Sequence, residues 1–124
     1  MPLAAIDYTD KMAIAAVVGR EEPDSKERII AIGRYIRDPL TNFAEVAFAT
    51  SHGWQDRGIS TFILRYLIRI AKENGIKGFT ADVLGENRPM QALFDKMGYH
   101  VEKKIEDGVY EYTITFGAGN GKKQ

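Results

Sequence analysis

Ile59-Ser60-Thr61-Phe62-Ile63-Leu64-Arg65-Tyr66-Leu67-Ile68-Arg69-Ile70-Ala71-Lys72-Glu73 is the stretch that decides the fold class. Ile59, Phe62, Ile63, Tyr66, Leu67, Ile70 and Ala71 recur at helical spacing and form one apolar stripe. Arg65, Arg69, Lys72 and Glu73 fill the remaining surface as its solvated face. Gly75 stands where a helix would stop in a left-handed cap. Strand-like runs flank this helix: Phe43 to Thr50 before it, and Phe79 to Leu84 after it. Strand, helix and strand in that order imply a parallel pair joined by a right-handed crossover.

Working outward, Met12 to Val18 reads as a buried strand ending at Gly19. Arg20 to Lys26 is charged, contains Pro23 and reads as a hairpin loop. Arg28 to Ile36 is a second strand, followed by a turn over Asp38-Pro39-Leu40-Thr41-Asn42. On the far side, Asn87 is a good N-cap. Met90, Leu93, Phe94 and Met97 form the face of a short helix that ends at Gly98. Tyr99 to Ile105 and Val109 to Phe116 are two strands joined through Glu106-Asp107-Gly108, a hairpin turn. The expected fold is therefore α/β, a mixed and mostly antiparallel sheet with two main helices. Residues 1–116 are expected to form a single domain. The glycine- and lysine-rich tail, 117–124, is expected to be disordered.

Composition narrows the function. Lys plus Arg and Asp plus Glu number 17 each, so the charge balance favours neither a nucleic acid nor a membrane as partner. There is no cysteine, hence no thiolate metal site and no cysteine nucleophile. His52 and His100 are far apart and lack ligand spacing, so no metal is expected. No signal peptide or membrane-length apolar run is found, which suits a cytoplasmic protein.

The junction Ser51-His52-Gly53-Trp54-Gln55-Asp56-Arg57-Gly58-Ile59-Ser60 carries the chemistry. A helix start offers unpaired N–H groups and the positive end of the helix dipole, which together make an anion site. Gly58 lets the backbone approach a phosphate closely, and Arg57 adds a cation. A single glycine here would equally suit a plain strand-to-helix turn. Gln55-x-x-Gly58-x-Ser60, however, resembles the Q/R-x-x-G-x-G/A loop of the GNAT superfamily of N-acetyltransferases. Asn87-Arg88-Pro89-Met90-Gln91-Ala92-Leu93-Phe94-Asp95-Lys96-Met97-Gly98-Tyr99 is similar to that family's second hallmark, N-x-x-A-x-x-L-[FY]-x-x-x-G-[FY]. Strand order matches too, and the resemblance covers residues 12 to 116.

The resemblance implies an acetyl-CoA site. Backbone amides of Gln55, Asp56, Arg57, Gly58, Ile59 and Ser60, with Thr61 nearby, would hold the pyrophosphate. The strand Val46-Ala47-Phe48 would splay from the strand Phe79 to Leu84 and admit the pantetheine arm. Asn87 would bond that arm, cap its helix, or do both, and Phe94 would lie beside it. Ser60 departs from the usual Gly or Ala. Its hydroxyl would either bond phosphate or crowd it. Asp56, an anion beside an anion site, would turn outward and cap the helix.

Acyl transfer to an amine needs the amine neutral. With a lysine pKa of ~10.4, neutralising it at pH 7 costs about 4.6 kcal/mol, so a positioned base is expected. Glu45 lies in the apolar run Phe43-Ala44-Glu45-Val46-Ala47-Phe48. Burial there would raise its pKa toward the useful range, whereas a solvent-facing position is the commoner fate of a strand glutamate. Ala44-Glu45-Val46-Ala47 is similar to the segment carrying the catalytic glutamate in bacterial protein-lysine acetyltransferases. That makes an amine acceptor, protein lysine or small molecule, the expected partner. The tyrosine that many members use to protonate the leaving thiolate is matched here by Phe94. Tyr99, Tyr110 and Tyr112 remain as alternatives, with packing as their plainer role. The resemblance also implies a shortened N-terminal part, lacking the usual first strand and helices. Leu3 to Tyr8 is expected to be a remnant of the connection. The acceptor wall would then be absent, or supplied by another subunit or by a second chain; an uncovered sheet edge or apolar face would favour association, so a homodimer is expected. The alternative to turnover is a coenzyme A-binding regulatory or interaction module.

Overall fold

A computed structural model of the chain describes residues 3–7, 10–19, 28–54 and 58–117. Its elements run β1 (Leu3–Asp7), β2 (Lys11–Val18), β3 (Arg28–Asp38), β4 (Phe43–Thr50), α1 (Ile59–Glu73), β5 (Gly78–Leu84), α2 (Arg88–Asp95), β6 (His100–Glu106) and β7 (Val109–Thr115). The seven strands form one mixed sheet in the order β1-β2-β3-β4-β5-β7-β6, in which only β4 and β5 are parallel neighbours. The loop expected over Arg20 to Lys26 and the tail from residue 118 lie outside the described residues.

One expectation is corrected at the start of the chain. Leu3–Asp7 is an edge strand that pairs antiparallel with β2, in register from Leu3↔Ala16 to Asp7↔Met12. It is not a remnant of a connection. Three residues link it to β2, so no helix fits between the two strands. The alanine-rich run Leu3-Ala4-Ala5-Ile6-Asp7 has little strand propensity of its own, and its conformation comes from the neighbour it pairs with.

Strand alternation divides the sheet into two unlike faces. Met12, Ile14, Tyr35, Ala44, Val46, Phe79, Tyr112 and Ile114 point to one face and are buried. Both helices cover that face. Tyr35 lies 5.5 Å from Phe79, and Phe79 lies 5.0 Å from Phe116, while Phe94 of α2 sits between Phe48 and Tyr112. Gly33 is needed under α1, because a Cβ there would stand 2.5 Å from Ile63 Cγ2 and 2.9 Å from the Phe48 ring. On the opposite face, Ile32, Arg34, Ile36, Glu45, Ala47, Asp82 and Glu111 are exposed.

α1 is rotated from the stripe read off its period. Leu64 and Ile68 are buried, and Phe62 is half exposed. The helix is apolar over most of its circumference, so periodicity marks it as a helix without fixing which flank meets the sheet. At its end Ile76 N–H bonds Ala71 O at 2.9 Å and Gly75 N–H bonds Lys72 O at 3.0 Å, the Schellman closure. The β6–β7 turn has positive φ at both Asp107 and Gly108, which matches a tight two-residue hairpin.

Candidate functional site

β4 and β5 pair for three residues only: Phe43↔Gly78, Ala44↔Phe79 and Glu45↔Thr80. Beyond Glu45 they part. The remainder of β4 keeps its ladder to β3 on one edge, through Thr50↔Ala31. Its other edge has no strand beside it among the described residues, so backbone polar groups there are left to find a partner. A cleft of about 630 Å³ opens at this edge, on the helix-covered side. Phe48, Thr50 and Trp54 line it from β4 and the loop; Gly58, Ile59, Ser60 and Thr61 from the start of α1; Asn87, Met90, Leu93 and Lys96 from α2 and its flanks.

Among the described residues no side chain caps the start of α1. Gly58 occupies the N-cap position with φ 77°, and no side-chain cap bond is made there. That left-handed backbone suits glycine, and a Cβ at Gly58 would meet nothing within 4 Å. The requirement is thus conformational. Ser60 Oγ lies 3.2 Å from Thr50 Oγ1, tying the first turn of α1 to the end of β4. Gln55, Asp56 and Arg57 lie outside the described residues.

α2 starts with a second functional terminus. The Asn87 Oδ1 accepts the Met90 N–H at 3.3 Å, a side-chain cap followed by Pro89 in the first turn. Its amide nitrogen makes no hydrogen bond among the described residues and is available at the cleft. Capping and ligand contact therefore use different atoms of one side chain.

A family model for the acetyltransferase (GNAT) family matches residues 5–99. The chain belongs to the GNAT family. This GNAT chain is 33% identical over 97 residues to the acetyltransferase Pat of Mycolicibacterium smegmatis, which covers 77% of the chain and 28% of Pat. The crystal structure of the GNAT domain of S. lividans PAT superposes with a TM-score of 0.72 at 31% identity, covering 89% of this chain and 63% of that one. A cAMP-binding acyltransferase from Mycobacterium smegmatis superposes at 0.68 with 29% identity, covering 88% and 32%. The chain thus spans less than two thirds of the length of each of these relatives.

GNAT acetyltransferases use acetyl-CoA, and the cleft has groups that fit it. An unpaired strand edge suits the amides of an extended arm, the start of α1 suits a pyrophosphate, and the Asn87 side chain lines the same cleft. Of the expected contact residues, Phe48, Gly58, Ile59, Ser60, Thr61 and Asn87 line the cleft. Val46 is buried beneath it, and Ala47 is exposed on the opposite face. Phe94 is buried between aromatic rings, 6.4 Å from Phe48 and 5.3 Å from Tyr112, and supports the cleft from below. Thr50, Met90 and Lys96 were missed by motif reading. Met90 stands on the apolar face of α2 and Thr50 is a strand end, so neither carried a distinguishing signal.

Of the two positions open to Glu45, the structure has the solvent-facing one. It is exposed on the open face rather than buried among its apolar neighbours, because Ala44 and Val46 point the other way. Glu45 has no ion-pair partner among the described residues. Across the strands it stands beside Ile36 and Thr80, at the point where the sheet splits. None of Tyr99, Tyr110 and Tyr112 is among the described residues lining the cleft. Burial of Tyr112 pushes its phenol above the ordinary value; the Asp95 carboxylate adds to this and the Lys103 ammonium opposes it. Tyr99 packs edge-on to Phe116 beside Lys72, at the far end of α1. Among the described residues no cluster of three or more metal-ligating side chains occurs, and no helix is long and apolar enough to cross a membrane.

Proposed function

We propose that this GNAT domain transfers the acetyl group of acetyl-CoA to an amine, with protein lysine as the favoured acceptor and Glu45 as the general base. The observation that carries the reading is the split between β4 and β5 directly after Glu45 and Thr80. The cleft opens on one side of that split and the Glu45 carboxylate lies on the other. The pantetheine arm would lie along the free edge of β4, with its pyrophosphate at the start of α1. The thioester would then reach the split from the helix side while the amine arrives from the open face. The amine nitrogen attacks the thioester carbonyl, the C–S bond breaks to release the coenzyme thiolate, and the amine proton passes to Glu45 directly or through water. A thiol pKa near ~8.5 makes that thiolate a tolerable leaving group without a tyrosine acid.

An open acceptor face suits a macromolecule. A small amine needs a pocket to enclose it, whereas a folded protein brings its own surface to the lysine. Ile29, Ile32 and Ile36, exposed by 56%, 37% and 45%, give that face an apolar patch. A second copy of the chain would cover part of it and complete the acceptor wall, so a homodimer belongs to the proposal. A monomer by light scattering at micromolar concentration would reject the dimer.

The test of the chemistry is Glu45→Gln, assayed by thiol release over a panel of amines that includes protein substrates. Turnover is expected to fall by about a hundredfold or more, with acetyl-CoA affinity by calorimetry within about twofold of wild type. Unchanged turnover would sink the base assignment. The exposure of Glu45 favours one alternative, a coenzyme A-binding module without turnover. Calorimetric binding with no thiol release across the panel would select it.

A further inference from the structure

Two hydroxyls hold the first turn of α1 to the end of β4. Thr50 is the last residue of β4 and Ser60 the second of α1, and their side-chain oxygens lie 3.2 Å apart. Each hydroxyl carries one proton and two acceptor lone pairs. The bond between them uses one of the two protons. The hydroxyl that accepts keeps its own O–H, and that O–H has no acceptor among the described residues. Both side chains line the cleft where α1 begins, at the positive end of the helix dipole. The glycine or alanine usual at the position of Ser60 in the motif has no side-chain proton to give.

We infer that Thr50 is a positioning residue for Ser60. Thr50 donates to Ser60 Oγ, which turns the Ser60 O–H toward a phosphate oxygen at the helix end. The inference rests on the cleft being the acetyl-CoA site. It resolves the choice left open by the sequence: the serine adds a phosphate donor and does not crowd the loop, because its oxygen is drawn back onto β4. It also gives Thr50, which no motif marks, a role at a distance from any reacting atom.

The experiment is calorimetry of the full chain with coenzyme A and with pantetheine, which has the same arm and no pyrophosphate. Ser60→Ala is expected to weaken coenzyme A about tenfold, as for the loss of one hydrogen bond to a charged group, and to leave pantetheine unchanged. Ser60→Thr keeps the hydroxyl and should hold coenzyme A within about threefold of wild type. Thr50→Val should weaken coenzyme A by less than Ser60→Ala does, and the double variant should bind no worse than Ser60→Ala alone, the non-additivity of two groups acting through one contact. Thermal melts of each variant are run alongside. Ser60→Ala binding coenzyme A as tightly as wild type overturns the inference, as do equal losses for both ligands, or additive losses in the double variant. A wild-type chain that binds neither ligand overturns the coenzyme reading itself; a wild type that binds coenzyme A beside an unaffected Ser60→Ala overturns only the hydroxyl pair.

Discussion

The two faces of the sheet are built differently, and in the proposed reaction each would serve one of the two substrates. Beneath α1 and α2 the side chains are large, apolar and closed: Tyr35, Phe79, Phe94, Ile63 and Leu67 are at most 1% exposed. The opposite face of the same strands presents Ile32, Arg34, Ile36, Glu45 and Asp82 to solvent. On the covered face, the features that would bind a coenzyme are features the fold already needs: two helix starts and a strand end. Folding fixes them, and the ligand site follows. The open face has no such constraint, since nothing in the described chain packs on it. Glu45, the proposed base, is positioned by its strand alone, and under that proposal its surroundings would be completed by the acceptor or another chain.

The largest expected effect tests whether the open face is open in solution. Leu67→Ala removes a fully buried side chain from the centre of α1 and should cost about 3 kcal/mol in denaturant unfolding. In the monomer, Ile36→Ala, at a side chain 45% exposed, should cost about 0.5 kcal/mol or less, and more at concentrations where the proposed dimer covers that face. Comparable costs at the two sites, with an unfolding midpoint that moves with protein concentration, would mean that a second copy covers the face. The contrast between the faces would then belong to the monomer alone.

The same contrast explains what could be read from sequence. α1 was legible because its period is local, and the Asn87 cap and Gly58 turn were legible because cap and turn chemistry act over three or four residues. What failed depends on distant neighbours. β1 is a strand because β2 lies beside it, and Leu3-Ala4-Ala5-Ile6-Asp7 gives no sign of that. Glu45 sits among apolar residues in sequence, yet its exposure is decided by what covers the outer face. The rotation of α1 toward Leu64 and Ile68 is set by the sheet under it. The Thr50–Ser60 contact joins residues across the strand-to-helix junction that no short pattern links.

Among the described residues one buried side-chain oxygen on the covered face stands without a hydrogen bond, and removing it should sharpen the contrast. Among the described residues the buried Tyr112 hydroxyl, on a residue 1% exposed, makes no hydrogen bond within ordinary geometric limits, although Lys103 stands near enough to interact with it. Tyr112→Phe keeps the ring against Phe94 and deletes the unsatisfied group, so it should stabilise the fold by about 1 kcal/mol at neutral pH. Burial and the Asp95 carboxylate raise the Tyr112 phenol above its ordinary value, against the pull of Lys103. The native chain therefore holds this proton at a pH where the unfolded chain has released it. Stability from this group is intact below the unfolded value, ~10, and falls as pH rises through it. Tyr112→Phe lacks that loss, so its advantage in urea unfolding should widen above pH 10. A narrowing gap would mean that the hydroxyl has a partner in solution.

The smallest effect on stability separates fold from function within a single side chain. Asn87 caps α2 with Oδ1 and presents its amide nitrogen to the cleft. Asn87→Ala loses both and should cost about 1 kcal/mol of stability. Asn87→Asp keeps an oxygen for the Met90 N–H and places a negative charge at a helix start, where it is favoured. Its thermal midpoint should match wild type. It has lost the N–H donors, however, and its carboxylate would repel a carbonyl oxygen of the coenzyme arm, so acetyl-CoA affinity should fall about tenfold. Wild-type affinity in Asn87→Asp would confine Asn87 to capping and leave the binding contacts of the cleft to α1 and the free edge of β4. A tenfold loss at unchanged stability would instead show that the covered face spends one residue twice, once to start a helix and once to hold a ligand, which Glu45 on the open face has no structural reason to do.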